Sequence, residues 1–246
     1  MRLTISSIGK VRRINMVKFS IVVPAFNEVK YIGKTLKALK KQTLKDFEII
    51  VKDGQSIDKT VEIARRHADK IVSIRDSSIA DARNQGARYA EGDILVFVDA
   101  DTTLPSYALR RFADLMKDEN IVGVSCRKVP QSQSLLDRML YELVNLSVFV
   151  DSVLGLAGAH GNCMVIRRSV FEKVGGFNQK IQVAEEQELV RRAKKFGKFL
   201  FLLDMNVVEH PRRIQRWGKL RLYVAWTMGM LRSFSPEKRQ PYEKVR

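Results

Sequence analysis

Acidic side chains recur in the first half of this chain, and each follows an apolar run that is typical of a β-strand. They are Glu28, the pair Asp53 and Asp58, and the pair Asp99 and Asp101. Loops at the carboxyl ends of strands are where open α/β sheets bind ligands. Carboxylate oxygens suit Mg²⁺ or Mn²⁺, which complete their shells with phosphate and water. The pattern therefore indicates a site for a divalent metal and a polyhydroxylated or phosphorylated ligand.

Some of these positions also fit a simpler explanation. Asp99 and Asp101 would serve equally well as polar residues of a solvated turn, and Asp53 as a side chain that bonds to its own turn. It is the combination of all the acidic positions that favours a ligand site.

Strand-like and helix-like segments alternate throughout residues 19–118, which predicts the α/β class. We expect a doubly wound, mostly parallel sheet with helices on both faces. The helices show apolar residues at helical spacing, and the first should end near Gln42. The expected strands are Phe19–Val23, Phe47–Val51, Lys70–Ile74 and Asp93–Val98.

Beyond Pro105 the alternation weakens. We expect a helix to about Lys117, a strand over Ile121–Cys126 and then a long apolar stretch, residues 135–159. Charged residues interrupt that stretch too often for a bilayer span. We interpret it as a helix that packs on the sheet or lies at an interface.

The composition fits one α/β domain with a basic appendage. A chain of 246 residues is long enough for a full core. The net charge of +17 is uneven, since residues 191–246 hold 15 Lys or Arg against 4 Asp or Glu. Such a tail binds nucleic acid or an anionic membrane, or is simply solvated. Cys126 and Cys163 are too few for a disulfide framework and indicate a reducing compartment.

The two ends of the chain differ from its middle. Residues 1–17 are basic and lack the apolar region of a secretory signal, and we interpret them as an N-terminal extension. If Met16 is the true start, residues 1–15 are a disordered or spurious extension. Residues 214–246 predict a basic amphipathic C-terminal helix and tail, at a membrane interface or packed on the main domain. Its apolar side would hold Trp217, Leu220, Val224, Leu231 and Phe234.

Several ordered segments resemble the signatures of family 2 glycosyltransferases, whose fold is called GT-A. The segments are 21–28, 51–60, 82–86, 98–101, 167–177 and 185–189. The resemblance covers about residues 18–213, which we interpret as the GT-A domain. It implies a nucleotide-sugar donor, a divalent metal and transfer of the sugar to an acceptor.

The resemblance also implies how the donor is held. The loop formed by Pro24, Ala25, Phe26 and Glu28 would contact the base and ribose of the nucleotide sugar. Asp53 would accept a hydrogen bond from the base.

Further along the chain, Arg83 would stand near the diphosphate, unless it is a surface cation of its helix. Asp99 would approach the ribose or the metal shell, and Asp101 would ligate the metal that bridges the phosphates. The chain departs from many relatives at Lys52, where an Asp is common, and at Gln55, where a small residue is usual.

The catalytic base is implied by the second acidic cluster. Inverting transfer needs a group that takes the proton of the acceptor hydroxyl, and in the family this is usually the Asp of a Glu-Asp pair. This chain has Glu185-Glu186, so Glu186 takes that position with one more methylene, and Glu185 is the second choice. A solvated helix start is the alternative.

The end of the resembling region adds three residues. His210 would be a third metal ligand, and Arg212 and Arg213 would clamp the diphosphate. An ordinary surface histidine is the alternative for His210. His160 lies in an expected acceptor loop, where local hydrogen bonding would explain it equally well.

We therefore expect an inverting, metal-dependent glycosyltransferase with Mg²⁺ or Mn²⁺ as cofactor. It would act on an acceptor hydroxyl or lipid-linked acceptor, in the cytoplasm and peripherally at the cytoplasmic face of an anionic membrane. A sugar-phosphate nucleotidyltransferase is less favoured because the loop after the first strand lacks glycine. A nucleic-acid-binding protein is less favoured because no recognition motif is present, and we expect no nucleic-acid partner.

Overall fold

The computed structural model describes residues 18–181 and 183–212. The expectations for residues 1–17, for Arg213 and for the tail 214–246 lie outside these residues.

The described residues form one mixed sheet and the helices that cover it. The strands are β1 Phe19–Ala25, β2 Phe47–Asp53, β3 Lys70–Ser73, β4 Ile94–Val98, β5 Thr102–Thr103, β6 Ile121–Pro130, β7 Cys163–Arg167 and β8 Lys198–Glu209. The α-helices are α1 Ile32–Lys40, α2 Thr60–Ala64, α3 Ile79–Ala87, α4 Ala108–Leu115, α5 Leu135–Val153, α6 Arg168–Lys173 and α7 Glu185–Ala193, and a 3₁₀ turn follows at Lys194–Phe196. The strand order is β3-β2-β1-β4-β7-β6-β8-β5.

The first half of the sheet is parallel, as the alternation predicts. β1 pairs in parallel with β2 on one side and with β4 on the other, and β3 extends the sheet beyond β2. Strands β1 and β4 are wholly buried, which explains their continuous apolar sequence. The acidic loops after β1, β2 and β4 therefore open at the same edge.

The second half of the sheet departs from a parallel arrangement. β7 pairs antiparallel with both β4 and β6, and β5 pairs antiparallel with β8. Only β6 and β8 are parallel there, with two register irregularities. Parallel pairs still outnumber antiparallel ones, but the sheet is mixed because β7 runs antiparallel to both of its neighbours and the two-residue β5 runs antiparallel to β8.

Two apolar layers lie on opposite faces of the sheet. Ile21 and Val23 of β1 point into one layer and Val22 into the other, as the two-residue period of a strand requires. Helices α1, α2 and α4 cover the first face, and α3, α6 and α7 cover the second. This confirms the expectation of helices on both faces. Cys126 and Cys163 are fully buried and behave as small apolar residues.

Helix α3 lies unusually close to β1. Ser78 caps its start by accepting a hydrogen bond from Asp81 N (3.1 Å). A Cβ at Gly86 would lie 2.4 Å from Val22 Cγ1, so only glycine allows this approach. The contact fixes α3, and with it Arg83, against the middle of the sheet.

Helix α5 packs on β6 and β8 through one side only. Tyr141, Val144 and Val148 are buried there, and Asn145 bonds to both the N–H (3.1 Å) and the carbonyl (2.9 Å) of Lys128. The interpretation of the stretch 135–159 as a helix packed on the sheet is thus confirmed for 135–153. Among the helices of residues 18–181 and 183–212, none is both long and apolar enough to cross a membrane.

Candidate functional site

The loops after β1 and β2 form a single unit. Gly54 N donates to Ala25 O (2.8 Å). Asn27 N donates to Ser56 Oγ (2.9 Å), and Ile57 N donates in return to Asn27 Oδ1 (3.0 Å). The loop that follows Pro24 is therefore held against the loop that follows Asp53 before any ligand is present.

The Asp53 carboxylate organises its own loop. It is 1% exposed and accepts hydrogen bonds from Gln55 N (3.1 Å), Ser56 N (3.2 Å) and Ser73 Oγ (2.7 Å). The turn-forming explanation for this residue is thus realised in the structure. A contact with a nucleotide base remains a prediction.

Beneath the same loop lies a fully buried ion pair. Lys52 Nζ is 2.8 Å from Asp76 Oδ2, and both side chains are almost inaccessible to solvent. A Cβ on Gly54 would lie 2.6 Å from that Asp76 oxygen and 3.3 Å from the Phe26 ring. The buried charge of Lys52 is therefore tolerated in this loop because Asp76, from the loop after β3, neutralises it.

Backbone strain is concentrated around these loops. In the described chain, the non-glycine residues with positive φ are Asn27 (56°), Gln55 (65°) and Ala184 (60°). Asn27 and Gln55 lie in the joined loops, and Ala184 directly precedes Glu185. Such conformations cost about 1–3 kcal/mol each and cluster at ligand sites and active sites.

Arg83 connects the two acidic clusters. Its Nη2 donates to Asp99 Oδ1 (3.0 Å) and to the Gly161 carbonyl (2.8 Å), and its Nη1 donates to Glu185 Oε1 (2.7 Å). The guanidinium carbon lies 5.3 Å from the centre of the Phe177 ring. Arg83 is 2% exposed, so the alternative of a surface helix cation is wrong.

Glu186 lies beside this network, and its pKa is raised. Burial, together with the neighbouring Glu185 carboxylate, raises the pKa of Glu186 from its ordinary 4.5 to about 7, against the opposing effect of Arg83. A Cβ on Gly161 would lie 3.4 Å from Glu186 Oε2 and 3.2 Å from Arg83 Nη2. The absence of a side chain at Gly161 therefore leaves room at the carboxylate.

A second cationic link ties the end of β8 to the first acidic loops. Arg212 Nη1 donates to the Glu28 carboxylate (2.6 Å to each oxygen), and Arg212 Nε lies 2.7 Å from Asp101 Oδ2. His210 N donates to Asp101 O (3.1 Å), and the imidazole packs on Tyr31 with ring centres 4.5 Å apart. Arg212 and His210 therefore reach Asp101 although more than 100 residues separate them from it.

Comparison with known protein families shows to which family the chain belongs. The model of the glycosyl transferase family 2 matches residues 20–175, more than half of the chain. The chain belongs to glycosyl transferase family 2. As a member of this family it is a glycosyltransferase, and the nucleotidyltransferase and nucleic-acid-binding alternatives are not favoured.

Curated relatives share this assignment. The chain is 31% identical over 132 residues to the poly(ribitol-phosphate) beta-N-acetylglucosaminyltransferase TarS of Staphylococcus aureus, covering 48% of this chain and 23% of TarS. It is 28% identical over 238 residues to the probable glycosyltransferase YdaM of Bacillus subtilis, covering 86% of this chain and 55% of YdaM. The chain thus spans between about a quarter and about half of the length of these relatives.

Solved structures confirm the GT-A fold. The mannosyltransferase PcManGT from Pyrobaculum calidifontis, in complex with GDP-Man and Mn²⁺, aligns with a TM-score of 0.70 and 22% identity, covering 93% of this chain and 67% of that one. TarS 1-349 from S. aureus, in complex with UDP-GlcNAc, aligns with a TM-score of 0.62 and 21% identity, covering 78% and 58%. At these identities the likeness concerns the fold.

The candidate donors for a divalent metal are the Asp101 carboxylate and the His210 imidazole. His210 Nδ1 is buried and has no hydrogen-bond partner among the described residues, and the two residues are joined by the hydrogen bond from His210 N to Asp101 O. No group of three His, Cys, Asp or Glu side chains that could hold a metal is present within 18–181 and 183–212. Mg²⁺ and Mn²⁺ accept such a partial set because diphosphate oxygens and water supply the other ligands.

Sequence reasoning missed several residues that shape this glycosyltransferase site. Asp76 neutralises Lys52, and Gly161 both accepts from Arg83 and adjoins Glu186. Asn162 O accepts from Asp99 N (3.1 Å) and holds the acidic loop after β4. The available sequence signal was that Gly161 and Asn162 directly precede β7. Their partners, Arg83 and Asp99, lie 60 to 80 residues earlier in the chain, so the contacts themselves could not be predicted.

His160 has a structural role in the enzyme. It is fully buried, its N–H donates to Ser125 Oγ (2.9 Å), and its Nε2 is 3.0 Å from Asn145 Oδ1. Burial, together with the nearby Lys128, lowers the pKa of His160 well below its ordinary value. The explanation by local hydrogen bonding is therefore the one the structure supports.

Proposed function

We propose that this family 2 enzyme is an inverting, divalent-metal-dependent glycosyltransferase that moves a sugar from a nucleoside diphosphate to an acceptor hydroxyl. Family membership and the GT-A fold support the reaction class. The ligands of similar solved structures, GDP-Man with Mn²⁺ and UDP-GlcNAc, support a nucleoside diphosphate sugar as the donor class. The chain's own side chains supply the remaining arguments.

The observation that carries this proposal is the pair of contacts made by Arg83. One side of its guanidinium binds Asp99, in the loop where a donor diphosphate and metal would lie, and the other binds Glu185, next to Glu186. The buried Arg83 side chain would thus hold the donor loop and the segment that carries the base in a fixed relative position. Positioning of this kind is where much of an enzyme's rate advantage arises.

Glu186 is the residue that we assign as the base. A general base works best when its pKa is close to the working pH, because it is then both deprotonated and basic enough. The pKa of about 7 meets this condition. Glu186 Oε2 would take the acceptor proton as the acceptor oxygen attacks the anomeric carbon from the side opposite the diphosphate, which inverts the configuration.

Asp101 and His210 would hold the divalent metal, with Asp99 near its outer shell. When bound, the metal would neutralise charge on the departing diphosphate. Arg212 would then turn from the acidic side chains toward the phosphates, since a guanidinium binds phosphate through paired hydrogen bonds. Glu28 and the loop from Pro24 to Phe26 would face the ribose and base.

We also propose that the acceptor lies at an anionic membrane surface, on the cytoplasmic side. The basic segment 191–246, with its apolar and aromatic residues from Trp217 to Phe234, supports this placement. The acceptor would then be a lipid-linked sugar or glycan.

The test pairs a base variant with a distant control of the same chemistry. Glu186→Gln should reduce transfer by about 100-fold or more, while calorimetric affinity for UDP or GDP stays within about twofold. Glu172→Gln, at an exposed position of α6, should behave like the parent. A panel of nucleotide sugars with Mg²⁺ or Mn²⁺ identifies the donor, and NMR of the product's anomeric proton reports inversion. Retention of configuration, or parental turnover by Glu186→Gln with loss in Glu185→Gln, would refute the assignment.

A further inference from the structure

Helix α5 carries a long apolar strip on the side that faces away from the protein. The strip consists of residues that are 43% to 72% exposed, namely Leu135, Leu136, Met139, Leu143, Leu146, Val150, Val153 and the adjoining Leu154. At 3.6 residues per turn these positions fall within an arc of about 100°. The strip runs the full length of α5, about 28 Å at 1.5 Å per residue.

The strip cannot be hidden by rotating the helix. The opposite side of α5 already packs on β6 and β8 through Tyr141, Val144 and Val148. Asn145 fixes the rotation by its two hydrogen bonds to the Lys128 backbone. The helix is therefore apolar on both its inner and its outer sides, which is typical of a helix with a second apolar contact.

Continuous exposed apolar strips of this kind usually mark a contact surface, since monomeric proteins rarely tolerate patches beyond a few hundred Å². The charge beside the strip indicates the kind of partner. The exposed acidic residue at its border, Glu142, is neutralised by Arg127, whose Nε donates to it (3.1 Å). Arg138, at the same border, is exposed and basic. The rim therefore offers no net repulsion to anions.

The net charge of the chain distinguishes between two candidate partners for the strip, a second copy of the chain and an anionic surface. A second copy of a chain with net charge +17 would be repelled, whereas an anionic surface would be attracted. The last described strand, β8, ends near the start of α5, because Gln131 N donates to Glu209 O (2.8 Å) only four residues before Leu135. The apolar strip therefore begins at the side of the domain where β8 ends.

We propose that the outer strip of α5 inserts into the surface of an anionic lipid bilayer, with the helix lying in the plane of the interface. An interfacial helix buries its apolar side about 5–10 Å into the headgroup and acyl boundary. The loop that follows α5 is bonded to α7, because Ala159 N donates to Gln187 Oε1 (3.3 Å). Lipid contact along α5 thus brings the bilayer to the side of the site on which Glu186 lies.

The experiment measures partition of the full chain onto vesicles and does not depend on the transfer reaction. Vesicles contain either phosphatidylcholine alone or phosphatidylcholine with phosphatidylglycerol, and binding is read by flotation in low salt and in 1 M NaCl. High salt shortens the screening length to about 3 Å and removes most of the charge attraction. The binding that survives should come from apolar insertion.

The strip variant is Met139→Gln/Leu143→Gln/Leu146→Gln, which keeps the net charge. It should bind mixed vesicles about tenfold or more weakly and lose the salt-resistant binding, because each side chain forfeits part of its transfer free energy. A matched control, Tyr107→Gln/Leu203→Gln, changes exposed apolar residues outside α5 and should bind like the parent. A second strip variant, Val150→Gln/Val153→Gln, should reproduce the loss with an unchanged melting temperature.

Two results would overturn the proposal, and two patterns within the second would assign the strip to another occupant. The parent could fail to bind mixed vesicles, or both strip variants could bind as the parent does. Unchanged vesicle binding with a dimer that the variants dissociate would assign the strip to a second copy, and unchanged binding with a lower melting temperature would assign it to the chain's own tail. Donor hydrolysis without vesicles is measured in parallel, so failure of the proposed function would appear there and not in the flotation.

Discussion

At the scale of single residues, the site is built from acidic groups that are held by two arginines. Arg83 joins Asp99 to Glu185, and Arg212 joins Glu28 to Asp101. Glu186 stands outside these pairs, and burial together with the neighbouring Glu185 carboxylate raises its pKa. The same burial that makes Glu186 a useful base makes its charged form unfavourable for folding, which is a common relation between activity and stability.

This relation gives a prediction for pH. The folded chain binds the Glu186 proton more tightly than the unfolded chain, so the stabilisation is full below about pH 4.5 and is lost as the pH rises to about 7. Glu186→Gln, which cannot ionise, should therefore melt at a higher temperature than the parent at pH 8, and the difference should become much smaller toward pH 5. Parental turnover should rise with pH through about 7. Thermal melts between pH 5 and pH 8 test the first point, and a difference that is independent of pH would contradict it.

Arg212 gives a second prediction. Its guanidinium lies on the Glu28 and Asp101 carboxylates, so it competes with any divalent cation for the same oxygens. Without donor, Arg212→Gln should bind Mn²⁺ more tightly, by severalfold, and with Mn²⁺ present it should bind UDP or GDP more weakly. Calorimetry measures both affinities. Arg168→Gln, on the exposed surface of α6, serves as control, and weaker Mn²⁺ binding by Arg212→Gln alone would contradict the prediction.

At the scale of elements, the site depends on how closely α3 approaches the sheet. Gly86 touches β1, and Asn84 holds the segment before α7 by donating to Phe177 O (2.8 Å) and accepting from Phe177 N (2.9 Å). Arg83 lies between these two contacts. Because Arg83 of α3 contacts both Asp99 and Glu185, the position of α3 against the sheet constrains the positions of both acidic clusters.

The prediction at this scale concerns Gly86→Ala. The added methyl would overlap Val22 and push α3 outward, at a cost of about 1–3 kcal/mol of unfolding free energy. Because Arg83 moves with the helix, transfer should fall by more than the small loss of folded protein explains. Gly33→Ala on α1 is the control, since its nearest neighbour, Ile63 Cγ2, would lie 3.2 Å from the added methyl and has to shift much less than Val22. Chemical denaturation and assays well below the melting temperature separate the two effects, and full activity with reduced stability would contradict the argument.

At the scale of the whole molecule, charge and apolar surface are distributed unevenly. The apolar strip of α5 begins at the side of the domain where β8 ends, and the loop after α5 meets α7. Insertion of the strip as proposed would fix the orientation of the domain on a bilayer, because the strip lies along one side of one helix.

The corresponding prediction separates charge from insertion. Lys219→Gln/Arg221→Gln/Arg232→Gln should weaken binding to mixed vesicles by about two orders of magnitude at low salt, since each cation near the surface contributes about 1 kcal/mol. In 1 M NaCl the variant and the parent should bind equally. Lys37→Gln/Lys40→Gln/Lys45→Gln removes the same charge from elsewhere in the domain and should have a much smaller effect. An equal effect of both triple variants would show that only total charge matters.

Local patterns in the sequence determined the family, the parallel half of the sheet and the acidic loops at one of its edges. Apolar runs of five to seven residues followed by Asp or Glu are local signals, and strand geometry converts them into a common edge. The antiparallel returns of β7 and β8 were not predictable in this way, because strand pairing between distant segments depends on packing of the complete core.

Tertiary structure alone decided which charges meet. Arg83 and Glu185 are 102 residues apart, and Arg212 and Glu28 are 184 apart, so no spacing in the sequence reports their contact. The same holds for the pKa of Glu186, which follows from burial and from Glu185 and Arg83 together. It also holds for α5, whose sequence predicts a helix packed on the sheet or lying at an interface but does not show which side the sheet covers. Ion pairing, desolvation and exposure depend on distances in space, and these exist only once the chain has folded.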